Sequence, residues 1–423
     1  MTDILVNPGG EMIAHGAEWT IKQLFVYPNE FIYWSIQIVM YPYMTGLVAG
    51  AFVLSSLYHV FGQKDLRSIA RFSLVFSLAL LPTAMMPLQF HLQQPLRGMN
   101  VMFTPHFTSA IAAFGIVFST YAMIVLSEIW FVYRKYFVDQ AYALKDQDGF
   151  GNSLKRVIYN ILTLGAYDVS DEAIAKDKRA VSILAAIGIP VACFLHGYAG
   201  FIFGSVKANA LWMSPLMPVI FIMSAIVSGI ALCMLTYIVI MEWKKLRATM
   251  ARGRGDETVK HLGGVEMDVI FKTSRYLLGF LIAAISLELL DLIFRGYTAM
   301  KSWDILRSVM FHEDFTKIFI LQYGFGNLIP FILLLLPRPT IKRMVLALSL
   351  VLFGVFMMRW NVVIGGQAFS LSFEGFMHYH LPIIPHNLET YKEGLFGALT
   401  VAATPFFLFW IINKFVPSME EAS

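Results

Sequence analysis

The sequence predicts an all-α polytopic membrane protein of about nine spans, and three observations carry that prediction. Of its 423 residues, 57% are hydrophobic and only 14% charged, far too apolar for a soluble domain of this length. Nine stretches reach the roughly 20 apolar residues that the hydrocarbon core requires. The charged residues gather in the connections between those stretches, so the net charge of +4 does not mark a nucleic-acid surface.

In order, the spans fall at about 34–61, 67–90, 106–133, 180–204, 213–243, 272–297, 316–336, 341–358 and 394–415. Ahead of them, in the N-terminal segment 1–33, residues 11–30 mix Trp19, Phe25 and Tyr27 with Glu11, His15, Glu18 and Lys22, which reads as an interfacial helix, with a tenth span as the alternative. No basic start precedes an apolar core there, so a cleaved signal peptide is not expected. Of the 32 lysines and arginines, 23 lie on the side reached after spans one, three, five, seven and nine. Basic loops stay in the cytoplasm, which places the N-terminus outside (periplasmic) and the C-terminus inside.

The two long inner connections, 134–179 and 244–271, read as surface loops. On the outer side, 298–315 and 359–393 carry Trp303, Trp360, Phe369, Phe373, Phe376 and Tyr379, an aromatic rim that suits either a docked partner or an ordinary interfacial belt. Gly46 with Gly50, and Gly200 with Gly204, are spaced for close helix approach. Cys193 and Cys233 lie inside spans with no CxxC or CxxCH motif, so no haem or iron–sulfur cluster is expected in this chain.

A charge near the bilayer centre costs roughly 2.5–3.5 kcal/mol, so polar groups inside spans need a partner, water or a function. His91 ends span two in the run His91-Leu92-Gln93-Gln94-Pro95-Leu96-Arg97, where an imidazole can exchange a proton with a carbonyl or hydroxyl; a solvated interfacial histidine is the bland alternative. His106 follows Thr104-Pro105, a helix-start signal that sets it at the depth of His91 and allows a shared pocket. His196 lies in span four between Pro190 and Gly197, facing a polar cavity or satisfied by a freed carbonyl. Glu288 and Asp291 share one face of span six and point inward, as a proton route or, for the bland reading, paired with Arg295. Glu128 in span three either starts a proton route or pairs with Arg134 or Lys135. A haem held by two of His91, His106 and His196 is a minor alternative, and His378, His380 and His386 suit a docking surface better than a metal site.

The stretch from His196 to Leu232, with its His-Gly-Tyr-x-Gly turn, the short Lys207–Trp212 link and Ser214-Pro215-Leu216-Met217-Pro218, resembles the NrfD/PsrC family, the membrane subunits of polysulfide reductase and related quinone-linked complexes. Tyr41 to Gly50 is similar to the family's first helix. Where the family commonly shows Asp-Leu-Gly-Arg-Pro, this chain has His91-Leu92-Gln93-Gln94-Pro95. That variant, the ninth span and the long outer loops look most like the integral subunit of the menaquinone reductase complex of sulfate reducers.

The resemblance implies two four-helix bundles, 34–204 with the quinone site and 213–358, then a periplasmic loop 359–393 and a C-terminal span with its cytoplasmic tail, 394–423. It implies menaquinone as substrate near the outer end of the first bundle, bound by His91, His106, Tyr41, Gln94 and Arg97, with His91 as proton donor. Glu128, His196, Glu288 and Asp291 would then serve a proton pathway. The implied partners are a periplasmic ferredoxin-like iron–sulfur subunit, a molybdopterin-family-like subunit and a multihaem cytochrome c. A sulfite-reductase- or hydrogenase-linked subunit, a secondary transporter with two similar bundles, and a passive anchor are the alternatives.

Overall fold

The computed structural model describes residues 32–109, 111–145, 147, 149–206, 209, 211–253, 265–297, 302–369 and 376–419; the interfacial helix expected at 11–30 lies outside them. Among the described residues, nine helices are long and apolar enough to cross a membrane: Ile36–His59, Lys64–His91, Ala112–Ala143, Asp171–Gly204, Met217–Arg252, Met267–Tyr297, Thr316–Leu335, Ile341–Ala368 and Leu395–Ile412. They are spans one to nine below. Apart from one isolated bridge between Phe369 and Phe376, the described chain is helical. It is a multi-pass membrane protein.

Several ends differ from the sequence reading. Span three runs on to Ala143, span four begins at Asp171, and a further helix, Phe150–Leu162, lies between them, so 134–179 is largely helical and not a plain loop. Charge does not stop a helix once it has left the bilayer, and here the Ser170 hydroxyl caps span four by accepting from the Ala173 amide, with Asp171 and Glu172 favourably placed at the positive end of the helix. Span eight continues past 358 to Ala368, which moves Arg359 and Trp360 out of the expected loop and into a helix.

Span one is the axis of the molecule: 94% of its apolar window is buried inside the protein. It packs on spans two, four and five, and also touches eight and nine. Its backbone meets that of span five where Gly50 faces Gly229; a β-carbon on Gly50 would lie 2.3 Å from the Ala225 carbonyl oxygen and 2.7 Å from Gly229 Cα. Spans three and four pair with each other, as do seven and eight. In the latter pair Gly326 faces Gly354 so closely that a β-carbon on Gly326 would come within 2.2 Å of the opposite Cα.

Span two is broken. Arg67–Thr83 stops just after Pro82, and a short helix, Met86–His91, restarts with Pro87 in its first turn, where a missing N–H costs nothing. Span nine covers span two, with Phe409 set edge-on against Phe72 and Phe76 at centroid separations of 5.3 Å. Below, the face on which span one begins is called proximal.

Candidate functional site

At the proximal face three distant segments converge. His91 Nδ1 lies 3.0 Å from Glu393 Oε2, a carboxylate at the end of the short helix Leu388–Glu393 before span nine, and the Ser35 hydroxyl donates to the same oxygen. The start of span one is further tied down where the Ile36 amide donates to the Tyr379 hydroxyl at 3.1 Å and the Trp34 amide to Gln367 Oε1 at 3.0 Å. Burial pushes the Tyr379 phenol up from its ordinary value. Trp360 packs against Tyr379 at 5.6 Å, so this part of the aromatic rim is packed into the protein.

Tyr41, five residues into span one, sets its ring edge-on to Phe114 at 5.7 Å. Its hydroxyl is buried with no hydrogen-bond partner among the described residues, a position where a carbonyl- or hydroxyl-bearing molecule would recover a lost bond. Gln94, Arg97 and His106 are exposed on the connection between spans two and three. The Thr104-Pro105 signal does not open span three, which begins only at Ala112. Residues 95–103 instead fold into two short helices, and His106 Nδ1 is engaged by the Thr108 hydroxyl at 2.7 Å.

A second cluster lies deeper, where Thr45 of span one, His196 of span four, Ser224 of span five and Arg359 of span eight meet. Thr45 is nine residues from the start of its helix, hence about 13 Å below the proximal end at ~1.5 Å per residue. Arg359 is 0% exposed. Its Nη2 donates to Ser224 Oγ at 2.7 Å and bonds His196 Nε2 at 3.0 Å, and its guanidinium carbon sits 3.7 Å from the centroid of the Phe221 ring. A guanidinium only donates, so Nε2 accepts and the ring proton falls on Nδ1, which faces Thr45 Oγ1 at 3.4 Å. Gly46 makes room: a β-carbon there would lie 3.1 Å from His196 Cε1.

His196 is thus satisfied by side chains of two other spans, Thr45 of span one and Arg359 of span eight, and not by a freed carbonyl. It also lies well below His91. Ser35 and Thr45, their respective neighbours on span one, are ten residues apart in sequence, about 15 Å along a helix, so His91 and His196 do not share a depth.

Glu288 and Asp291 both line a cavity of about 160 Å³ among spans five to eight. Asp291 Oδ2 accepts from Arg295 Nε at 2.9 Å and its other oxygen from the Ser214 hydroxyl; the ion pair weighed for this acid is present. Glu288 has a different setting. It accepts from Gln322 Nε2 at 3.0 Å with the Tyr323 hydroxyl in hydrogen-bonding reach, while Gln322 Oε1 accepts from Asn361 Nδ2 at 2.8 Å. Three π-helical segments, Val309–Glu313, Thr316–Leu328 and Asn361–Gly365, border this cavity, and such widened turns concentrate at functional sites.

Glu128 is 0% exposed, and neither of its oxygens has a hydrogen-bond partner among the described residues. The expected pairing with Arg134 is not made: that guanidinium turns to Asp177 at 2.7 Å and to the Ala166 and Asp168 carbonyls. Sequence reading missed Arg359, Glu393, Tyr323 and Asn361. Arg359 carried a signal, a basic residue directly after the apolar run of span eight; Glu393 carried none, because its partners are 302 and 358 positions away.

Comparison with known proteins agrees with this architecture. Over 341 residues the chain is 27% identical to a selenate reductase subunit of Mesobacillus selenatarsenatis, covering 78% of this chain and 73% of that protein. It is also 27% identical over 208 residues to a putative dimethyl sulfoxide reductase membrane subunit of Halobacterium salinarum, covering 48% and 43% of the two chains. The family model described as polysulphide reductase, NrfD, matches residues 27–371, and the chain therefore belongs to the NrfD family of polysulphide reductase membrane subunits.

Proposed function

We propose that this chain is the quinone-handling membrane subunit of a multi-subunit reductase, reducing menaquinone near a periplasmic proximal face. The observation that carries the reading is the His91–Glu393 pair at 3.0 Å, set at the mouth of the first four spans, with the orphan Tyr41 hydroxyl on the adjoining helix. A histidine held by a carboxylate is positioned to deliver a proton and be recharged. A buried phenol without a partner offers a hydrogen bond to a quinone oxygen. Gln94, Arg97 and His106 then belong to the exposed rim of the site.

Reduction takes two electrons and two protons. The electrons come from a partner, a ferredoxin-like iron–sulfur subunit on the periplasmic side fed by a molybdopterin-type subunit or a multihaem cytochrome c. The selenate and sulfoxide reductases named among the relatives favour the molybdopterin type. Membership of a reductase family favours this reading over a secondary transporter or a passive anchor. Protons reach the site from the cytoplasm through the polar residues within the spans, Glu128 and His196 in the first bundle, Glu288 and Asp291 in the second, so that turnover separates charge.

The test is menaquinol formation by the complex purified with its partners. His91→Ala is expected to lower turnover by about 10²-fold, in the range of a lost proton donor, without dissociating the subunits. Full turnover in that variant would remove His91 from the reaction.

A further inference from the structure

Two cavities in the second group of spans share one wall. The first, lined by Glu288, Asp291, Gln322 and Asn361, reaches Tyr323; a second, of about 500 Å³, is also lined by Tyr323 and lies between spans six and seven beside Ser286, Asn327 and Phe331. Around the second, Ile282 is 47% and Leu328 57% exposed, so the groove opens sideways, toward the membrane's hydrocarbon and not toward water. Spans six and seven touch each other far less than do the pairs five–six and seven–eight, which is why a gap persists there.

An apolar recess with a few convergent polar groups is the usual form of a small-molecule site, and here a polar chamber and an apolar groove abut at Tyr323. We propose that the second bundle binds a second molecule of quinone or quinol, its ring beside Glu288, Tyr323 and Asn361 and its isoprenoid tail in the groove between spans six and seven. The inference rests on the quinone-handling reading above.

The polar groups select that occupant. Asn361 Oδ1 is buried without a hydrogen-bond partner among the described residues, an acceptor waiting for a donor such as a ring hydroxyl, while the Tyr323 hydroxyl serves a ring oxygen. A phospholipid headgroup fits poorly: Glu288, Asp291 and Asp314 all line the chamber, and the cations beside them, Arg295 and Lys317, already hold Asp291 and Asp314 at 2.9 and 2.6 Å. An anionic phosphate would therefore meet carboxylates whose countercharges are committed. A filling of water alone suits the head chamber but not the groove, whose walls apart from Ser286 and Asn327 are mainly aliphatic and aromatic.

The experiment is photolabelling of the complex in lipid nanodiscs with a menaquinone analogue carrying a diazirine on its tail, mapped by peptide mass spectrometry. Labels are expected both on segments of spans one to three and on residues 316–331, each competed by unlabelled menaquinone. Ser286→Trp, a change at an exposed position of the groove, and Asn361→Leu in the chamber should each lower the span-seven label at least tenfold and leave the first-bundle label intact, which doubles as the control for folding. Labelling confined to the first bundle, or span-seven labelling insensitive to competitor and to both variants, would overturn the second site while leaving the first. Absence of competed label anywhere would remove the quinone reading itself.

Discussion

Arg359 shows most plainly how one residue couples several spans. It is the largest fully buried side chain, and it joins span eight to His196 of span four and to Ser224 and Phe221 of span five. Its planar fork and its stacking on Phe221 are features lysine lacks, so Arg359→Lys is expected to lower the melting temperature of the detergent-solubilised protein almost as far as Arg359→Leu does. A lysine variant as stable as the wild type would contradict the geometry. At the proximal face, His91 and Glu393 act as a unit in this structure. His91→Ala and Glu393→Gln should each impair menaquinol formation, and the double variant should be little worse than His91→Ala, because contacting residues are not additive. Independent, multiplying losses in a double-mutant cycle would show that the pair does not function together.

For the helices themselves, close backbone approach decides what each glycine tolerates. A β-carbon at Gly50 would collide with the Ala225 carbonyl of span five, and one at Gly354 would lie 2.4 Å from Gly326 Cα of span seven. Backbone cannot move aside as a flexible side chain can, so Gly50→Ala and Gly354→Ala are each expected to destabilise by about 1–3 kcal/mol. Gly279, in the middle of span six, has nothing within 4 Å of such a carbon. There alanine is expected to be neutral or to stabilise by about 0.5–1 kcal/mol through the helix backbone. Thermal unfolding of the three variants side by side checks this, and equal losses at all three would argue against the one–five and seven–eight contacts. The breaks matter as much as the contacts: Pro82 and Pro87 bracket the interruption of span two, and that interruption delivers His91 to Glu393.

Taken whole, the molecule sets its polar groups in two tiers, His91 with Glu393 at the proximal face and His196, Arg359 and Glu288 below it, with Glu128 alone in span three. If the tiers carry protons from the basic face, the reconstituted complex will build a membrane potential as it reduces menaquinone, and Glu128→Gln will abolish the potential or slow its formation; reduction with no potential would exclude coupling. Sidedness is open to a direct check. A cysteine placed at Gly149 should react with an impermeant thiol reagent only from the cytoplasm, and one at Tyr33 only from the periplasm. The sequence by itself determined the class of protein, the nine spans found among the described residues and the family, since each follows from local quantities: the length of an apolar run and a contiguous motif from His196 to Leu232. It also pointed to His91, His196, Glu288 and Asp291, because a polar group in an apolar run is visible without knowing its partner. Which partner each would take was decided only by tertiary structure. Glu393 lies 302 residues from His91 and Arg359 lies 163 from His196, and no local pattern encodes the packing of span one against five others that brings them together. The same holds for Glu128, whose expected partner Arg134, six residues on in the same helix, turns instead to Asp177.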